Sequence, residues 1–194
     1  MSHRFKHVPN MLTVARIVVT PILLVLLFSE SLYGLLGATV LFILASISDY
    51  YDGQIARKYG VPSRVGRFLD PLADKVLVLG TFVALAFLVP SIVPWWAVAI
   101  VFVRDIAITG FRMWAEYHGR SLRTLPMAKA KTTIQLVFLI GMLVMLTAEK
   151  VPGLLGTIGA WVLASWIPML VLLAVVVITA YTGFLYFYKL EYTT

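Results

Sequence analysis

Four aspartates in an otherwise apolar stretch are the side chains of this 194-residue chain best placed to do chemistry. They are Asp49, Asp52, Asp70 and Asp74. An aspartate near the middle of a membrane helix costs roughly 2.5–3.5 kcal/mol, so four of them need a compensating cation. Carboxylate oxygens favour Mg²⁺ or Mn²⁺, and the chain has no cysteine to add a thiolate. The aspartates therefore predict a site for a hard divalent cation.

The spacing of these aspartates predicts how they would be held. The first two are three residues apart and the last two are four apart, so each pair shares one face of a helix. A short basic loop joins the two helices, which makes them antiparallel neighbours with both pairs at one depth. In the alternative interpretation the aspartates only form ion pairs with nearby cations: Arg57, Arg64, Arg67 and Lys75. That interpretation explains paired charges but not four carboxylates in register.

The composition places these helices in a membrane. Hydrophobic residues make up 61% of the chain and charged residues 13%, about half the charged share of a soluble domain. A span needs about 20 apolar residues, and apolar runs occur at 11–29, 35–56, 67–89, 94–117, 128–148 and 160–188. We therefore predict an all-α, polytopic membrane protein with six transmembrane helices in a single domain over residues 1–194. Pro168 is expected to kink the last run or to mark its true start.

The distribution of Lys and Arg predicts the orientation. Connections and ends on one side of the membrane hold Arg4, Lys6, Arg57, Lys58, Arg64, Arg67, Arg120, Arg123, Lys129, Lys131 and Lys189, whereas the other side holds only Lys150. Because cytoplasmic loops carry the excess of Lys and Arg, both termini and the acidic motif should be cytoplasmic, in a bacterial cytoplasmic membrane. The net charge of +7 then indicates lipid headgroups or a phosphorylated substrate as partners, and no nucleic acid.

Residues 2–10 precede the first apolar run and carry Phe5 between Arg4 and Lys6. An aromatic ring flanked by cations is typical of a segment that lies in the membrane interface. We therefore predict a short amino-terminal interfacial segment. The alternative is a frayed polar terminus.

The acidic motif resembles the signature of the CDP-alcohol phosphatidyltransferases. It reads Asp49-x-x-Asp52-Gly53-x-x-Ala56-Arg57, then eight residues, then Gly66-x-x-x-Asp70-x-x-x-Asp74, and every signature position matches. The resemblance implies six membrane helices, a homodimer, and transfer of a phosphatidyl group from CDP-diacylglycerol to an alcohol with release of CMP. Asn10-x-Leu12-Thr13-x-x-Arg16 is similar to the family's entry into the first span.

The resemblance also implies roles for the aspartates. Asp49, Asp52 and Asp70 would be the principal metal ligands. Asp74 would be the general base and would lie close enough to bind metal as well. Two ions about 3.5–4 Å apart can clamp a diphosphate, so two ions per site are expected. Direct displacement is favoured over a covalent intermediate because the motif has no good nucleophile nearby, and His118 is interpreted as a solvated loop residue.

Small and basic motif residues would contact the donor, CDP-diacylglycerol. Gly53, Ala56 and Gly66 would let a ligand or a neighbouring helix approach the backbone closely. Arg57 would grip the donor diphosphate. In the alternative interpretation Arg57 only anchors its helix at the membrane surface.

A second set of cations predicts where the acceptor binds. Arg104 and Arg112 are eight residues apart, which is two turns and roughly one face of a helix. With Lys129 and Lys131 they would form a basic pocket, although the two lysines alone could be interface anchors. An arginine inside a span needs an anion, and a phosphorylated acceptor supplies one.

The same region resembles one branch of the family, the phosphatidylglycerophosphate synthases. The residues that carry this resemblance are Arg104, Asp105, Gly110, Arg112, Trp114, Ala115 and Glu116, with Asp105 where Glu is expected. Lys129-x-Lys131-Thr132-Thr133-x-Gln135 is similar to the start of that branch's fifth span. The branch implies sn-glycerol 3-phosphate as the acceptor.

Two alternatives to this function stay open. Within the family, the acceptor could instead be inositol phosphate or phosphatidylglycerol. From another class, a divalent-cation transporter would also place charges in the membrane, but it predicts charges spread through the membrane depth. The four aspartates cluster at one side, and a purely structural membrane subunit would leave their burial unexplained.

Overall fold

The computed structural model describes the backbone of residues 8–59, 66–118, 121–122, 126–188 and 192–193. Side chains are described for residues 15–48, 75–111, 113–115, 117–118 and 132–185. This described part of the chain forms seven α-helices and one pair of two-residue strands. In chain order they are α1 (Val8–Phe28), α2 (Leu32–Tyr59), α3 (Gly66–Leu88), α4 (Trp95–Tyr117), β1 (Ser121–Leu122), α5 (Pro126–Glu149), α6 (Leu154–Ala164), α7 (Ile167–Tyr188) and β2 (Tyr192–Thr193).

The predicted all-α fold is confirmed, and five of the predicted apolar runs coincide with α1 to α5. The last run is divided. Ser165 and Trp166 separate α6 from α7, and Pro168 is the second residue of α7, so it marks a helix start rather than a kink. The described helices therefore outnumber the predicted six. Because α6 has 11 residues, it is about 16 Å long and too short to cross a bilayer core of about 30 Å by itself.

Local hydrogen bonds explain where several helices begin. The N–H of Gly34 donates to Ser31 Oγ at 3.1 Å, so Ser31 caps the start of α2. The N–H of Ile167 donates to Ser165 Oγ at 3.3 Å at the start of α7. Gly153 precedes α6 with φ 90, in the left-handed region that favours glycine. Each of these residues lies in a short connection, where one helix ends and the next begins within a few positions.

Two buried glycines let α6 pack directly on the end of α5. They are Gly156 and Gly159, one helical turn apart. A Cβ atom at Gly159 would lie 2.6 Å from the backbone nitrogen of Glu149. Only a residue without a side chain allows this approach. Leu154 and Trp161 of α6 are exposed.

The core lies where α1 to α5 and α7 meet. In the described chain, α1 packs against both α2 and α3, α5 packs against α2, α6 and α7, and α4 packs against α3 and α7. The largest fully buried apolar side chains are Phe42, Phe82, Leu23, Leu27, Leu77, Leu85, Leu139, Leu143 and Leu172. The rings of Phe82 and Phe138 stack with centroids 5.9 Å apart, which joins α3 to α5.

The outer surface and the hydroxyl groups both suit an apolar environment. Val25, Val137 and Phe184 are each more than 60% exposed. Hydroxyls inside helices bond to the carbonyl four residues earlier, as Thr20 does to Arg16 and Thr81 to Leu77, both at 2.8 Å. Two described segments, Thr132–Glu149 and Ile167–Leu185, are long and apolar enough to cross a membrane, and four shorter apolar helices accompany them. A membrane protein is therefore supported, and the count of six spans stays a prediction.

The two short strands bring together the segments that follow α4 and α7. β1 follows α4 and pairs antiparallel with β2, which follows α7, with Ser121 opposite Thr193. The ends of α4 and α7 are therefore on the same side, as the orientation prediction requires. Residues 2–7 of the predicted interfacial segment lie outside the described residues, as do the loop cations Arg64, Arg120, Arg123 and Lys189.

The packing of α6 on α5 generates a prediction about stability. Gly159→Ala should lower the free energy of unfolding by about 1–3 kcal/mol, because the new methyl group must displace backbone of α5. Gly141→Ala is the matched control, since a Cβ atom there meets nothing within 4 Å. Thermal unfolding in detergent measures both variants. Equal stability of the two would contradict the packing described for α6.

Candidate active site

The backbone places the four aspartates as the spacing predicts. Asp49 and Asp52 lie in the last turns of α2, and Asp70 and Asp74 lie in the first turns of α3. Each pair therefore shares a helix face. Their side chains lie outside the described residues, so the convergence of the two pairs stays a prediction. Among the described side chains, no three His, Cys, Asp or Glu groups lie together.

The predicted donor residues occupy the same two helix ends. Gly53, Ala56 and Arg57 belong to the last turns of α2, and Gly66 is the first residue of α3. Their side chains also fall outside the described residues. The described contacts of α3 are with α1, α4 and α5, and those of α2 are with α1 and α5. That α2 and α3 face each other at the acidic motif stays a prediction.

Lys75, the residue directly after Asp74, forms the first described polar contact of this region. Its Nζ lies 3.4 Å from Oδ2 of Asp105 on α4. The Asp105 side chain is fully buried and that of Lys75 is 16% exposed. A buried carboxylate needs a cation close by, because burying an unpaired charge is very unfavourable. This ion pair ties the helix that carries Asp70 and Asp74 to α4.

Arg104 also contacts the Asp105 carboxylate. Its Nη1 donates to Asp105 Oδ1 at 3.3 Å, and its Nη2 donates to Thr182 Oγ1 on α7 at 3.0 Å. The Thr182 hydroxyl in turn donates within its own helix, 2.8 Å from the carbonyl oxygen of Ile178. The stem of Arg104 lies on Gly183, where a Cβ atom would be 2.9 Å from Arg104 Cγ. The arginine is thus held by α4 and α7 together.

These three charged side chains carry an excess of positive charge. Lys75 and Arg104 are both cationic, and Asp105 is the single anion between them. Lys75 lies nine residues into α3, about 14 Å along its axis, and Thr182 lies six residues, about 9 Å, before the end of α7. The cluster is therefore in the half of the bundle that contains the acidic motif. The positive excess within this cluster of three side chains suits a phosphorylated ligand.

Gln135 extends the polar layer to α5. Its side chain is fully buried, and Nε2 donates to Thr179 Oγ1 on α7 at 3.3 Å. The Gln135 Oε1 atom has no hydrogen-bond partner among the described residues. Lys129 and Lys131 lie on the same helix, one to two turns earlier, and their side chains are outside the described residues. The start of α5 therefore meets α7, the helix that Arg104 also contacts.

An open apolar cavity of about 410 Å³ borders Lys75 on its other side. It lies between α1, α3 and α4, and its walls include Leu24, Phe28, Val83, Phe87, Phe102 and Ile106. Lys75 is the charged residue in this wall. The apolar walls offer the ammonium group no counter-charge, whereas Asp105 does.

The remaining predicted residues lie along α4. Arg112 is two helical turns beyond Arg104, and its side chain is outside the described residues. His118 follows the end of α4, where its ring packs against Trp114 with centroids 4.5 Å apart and Nδ1 lies 2.8 Å from the Trp114 carbonyl oxygen. His118 is exposed, which agrees with its interpretation as a solvated residue.

Sequence reasoning did not assign sites to several residues that the structure brings into this layer. In the sequence analysis Lys75 is named only as an ion-pair partner for the motif aspartates, and its contact with Asp105 is not predicted there. Thr182 and Gly183 gave no signal inside an apolar run. Arg16 was noted only as part of the first-span pattern, yet it is 5% exposed and buried in the bundle. A cation inside an apolar run is the signal that could have identified Lys75 and Arg16.

Comparison with known proteins matches residues 6–182 to the family described as CDP-alcohol phosphatidyltransferase. The matched residues include the acidic motif and the contacts from Lys75 to Thr182. Curated relatives named CDP-diacylglycerol–glycerol-3-phosphate 3-phosphatidyltransferase are also similar to this chain. The relative from Rickettsia typhi is 34% identical over 188 residues, which cover 94% of this chain and 96% of the relative.

Two further relatives carry the same name. The one from Bacillus subtilis is 32% identical over 143 residues, which cover 68% of this chain and 73% of the relative. The one from Rickettsia bellii is 37% identical over 132 residues, which cover 68% of this chain and 71% of the relative. The similarity is therefore shared across distant bacteria.

The buried carboxylate generates the second prediction. Asp105→Ala should lower the free energy of unfolding by about 3–5 kcal/mol, because it removes a buried carboxylate that contacts two partly buried cations. The matched control is Glu149→Ala, which removes an exposed acid and should change stability by less than about 0.5 kcal/mol. Unfolding by SDS in mixed micelles measures both. A small effect at Asp105 would show that the ion pairs contribute little to folding.

Proposed function

This chain belongs to the CDP-alcohol phosphatidyltransferase family, and we propose that it transfers the phosphatidyl group of CDP-diacylglycerol to sn-glycerol 3-phosphate. The products are phosphatidylglycerophosphate and CMP. The observation that carries this proposal is the family match over residues 6–182, together with relatives of that named activity that align over nearly the whole chain. The partly buried cations Lys75 and Arg104 give it physical support, since a phosphorylated acceptor is an anion.

The four aspartates are proposed to hold the metal ions of the reaction. Their donor set, carboxylates with no thiolate, fits Mg²⁺ or Mn²⁺, and two ions per site are proposed. Asp49, Asp52 and Asp70 are the principal ligands, and Asp74 is a further one. When bound, such ions neutralise the diphosphate charge and stabilise the departing CMP.

The chain's own residues supply the remaining steps. Arg57, with the small residues Gly53, Ala56 and Gly66, positions the donor diphosphate at the ends of α2 and α3. Asp74 accepts the proton of the acceptor hydroxyl, whose oxygen forms the new bond to the phosphatidyl phosphorus as the bond to CMP breaks. Because donor and acceptor react in line, both must be held at once.

The acceptor is proposed to bind on the opposite wall of the same site. Arg104 and Arg112 of α4 and Lys129 and Lys131 of α5 make this wall basic. Arg104 is already oriented by Asp105 and Thr182, so its stem and guanidinium lose little freedom when a ligand binds. Donor and acceptor thus meet between α2–α3 on one side and α4–α5 on the other.

The membrane arrangement is proposed to follow the sequence prediction with one change. Six helices, α1 to α5 and α7, span the bilayer, and the short α6 lies beside α5 without spanning. Both termini and the site are cytoplasmic, the whole chain is one domain, and two copies form a homodimer in the bacterial cytoplasmic membrane. The distribution of Lys and Arg supports this orientation.

The proposed function is tested by measuring CMP release from CDP-diacylglycerol by the purified chain. The acceptor panel contains glycerol 3-phosphate, inositol phosphate and phosphatidylglycerol, each with Mg²⁺, with Mn²⁺ and with a chelator. Release that requires glycerol 3-phosphate and a divalent ion supports the proposal. Release only with another acceptor changes the substrate, and metal flux in liposomes without CMP release would identify a transporter.

The acidic motif generates a prediction that separates ligand from base. Asp70→Asn should remove both Mn²⁺ binding and transfer, because a principal ligand is lost. Asp74→Asn should keep most Mn²⁺ binding but lower kcat by roughly 10²–10⁴, the range for losing general acid–base help. CMP release and electron paramagnetic resonance of free Mn²⁺ measure the two effects. Equal loss of Mn²⁺ binding in both variants would make Asp74 mainly a ligand, and Glu149→Gln serves as the unaffected control.

The basic wall generates a prediction that separates acceptor from donor. Arg112→Lys should raise the KM for glycerol 3-phosphate by about 10- to 100-fold, because lysine cannot form the two-pronged contact of arginine with phosphate. The KM for CDP-diacylglycerol should change much less. Arg57→Ala is the comparison variant and should show the reverse pattern. If Arg112→Lys affects only the donor KM, the basic wall belongs to the donor.

A further inference from the structure

Asp105 is the point at which the two walls of the proposed site are joined. One carboxylate oxygen contacts Lys75 of α3 and the other contacts Arg104 of α4. We propose that Asp105 is a positioning residue that aligns the metal-binding wall through Lys75 and the acceptor-binding wall through Arg104, by two separable contacts. We call the contact with Lys75 the first arm and the contact with Arg104 the second arm. This inference rests on the proposed function, because it assigns the first arm to metal binding and the second to acceptor binding.

The first arm fixes the rotation of α3 about its own axis. Successive residues of an α-helix are about 100° apart around the axis. Because Lys75 is held toward α4 by Asp105, backbone positions 74 and 70 are held at about 100° and 140° from that direction. Breaking the contact would let the first turns of α3 rotate or bend. The positions of Asp70 and Asp74 would then be less well defined.

The second arm fixes the guanidinium of Arg104. Asp105 and Thr182 accept hydrogen bonds from its two terminal nitrogens, at 3.3 and 3.0 Å. Because the Thr182 hydroxyl donates its proton to its own helix, an oxygen lone pair is left to accept from Arg104. Gly183 provides the space in which the arginine stem lies against α7. The arm therefore fixes Arg104 from two helices.

Asp105 acts through these cations and not on the substrates. It is 1% exposed, and both of its oxygens contact cationic side chains. Neighbours of this kind, which orient the groups that bind a metal or ligand, change metal affinity or activity by about 10- to 100-fold when they are lost. Asp105 is therefore a positioning residue, and the effects of its two arms should be measurable separately.

The experiment compares one variant for each arm, in the full-length chain purified in nanodiscs. Lys75→Met keeps the aliphatic stem and removes the charge, and it should weaken Mn²⁺ binding and lower kcat by about tenfold while leaving the KM for glycerol 3-phosphate unchanged. Thr182→Val keeps the shape and removes the acceptor oxygen, and it should raise that KM by about tenfold while leaving Mn²⁺ binding unchanged. Mn²⁺ binding is followed by electron paramagnetic resonance, independently of turnover.

Variants of Asp105 itself should combine the two effects. Asp105→Asn is expected to weaken Mn²⁺ binding and to raise the acceptor KM together. Asp105→Glu keeps the charge and should recover much of both. Because Asp105 variants also risk poor folding, the two single-arm variants keep the inference testable without them.

The matched control is Thr147→Val. Thr147 is buried, and its hydroxyl lies 3.0 Å from that of Thr39, between α2 and α5. Its loss should lower the unfolding temperature about as much as Thr182→Val does, but it should change neither Mn²⁺ binding nor the acceptor KM. Stability and positioning are thereby separated.

The outcomes distinguish failure of this inference from failure of the proposed function. If the unmodified chain shows no divalent-ion-dependent transfer to glycerol 3-phosphate, the proposed function fails and the inference fails with it. If the unmodified chain is active but Lys75→Met and Thr182→Val change the same parameters, or behave like Thr147→Val, only the inference is overturned. If Lys75→Met changes only Mn²⁺ binding and kcat, and Thr182→Val changes only the KM for glycerol 3-phosphate, both arms are supported.

Discussion

Asp105 is the one acidic side chain buried among the described residues, and the polar architecture of the bundle depends on it. Its oxygens lie 3.4 Å from the Lys75 ammonium and 3.3 Å from the Arg104 guanidinium, so two partly buried cations contact one buried carboxylate. Each of these groups would be very costly if left alone in apolar surroundings. Helices α3 and α4 are therefore bound together at the depth where the acidic motif enters the bundle, and α7 joins them through Thr182.

The described threonine hydroxyls fall into two groups, those that bond within their own helix and those that contact another helix. Thr20 and Thr81 bond only to carbonyl oxygens of their own helices in the described contacts, which removes a polar group from hydrocarbon without linking two helices. Thr182, Thr179 and Thr39 also contact side chains of other helices. The first two of these lie beside Arg104 and Gln135. Polar contacts between helices are thus concentrated near the proposed site.

The proposed chemistry needs two substrates of like charge to be held together at an interface between membrane and water. A wall of carboxylates with metal ions suits the donor diphosphate, and a basic wall suits the acceptor phosphate. The two walls would attract one another strongly if nothing fixed their separation. In our proposal, the Asp105 carboxylate fixes that separation because it contacts both Lys75 of α3 and Arg104 of α4. This gives a structural reason for an anion within a basic wall.

The sequence alone determined the helices, the membrane character and the acidic motif. Hydrophobic runs, aspartate spacing and Pro168 are local patterns, and a helix repeats every 3.6 residues whatever it packs against. The family could be identified because its signature is contiguous from Asp49 to Asp74. The break that divides α6 from α7 was only half anticipated, because Pro168 indicated a start or a kink but not a separate short helix.

Tertiary structure alone decided which charges pair. The sequence did not indicate that Lys75 lies against Asp105, or that Arg104 contacts Thr182, 78 residues away. Such pairings depend on how each helix is rotated and which helix it packs against, and composition and periodicity do not specify either. The need for glycine at position 183 is visible only in the tertiary structure, because the Arg104 side chain fills the space that a side chain at this position would occupy.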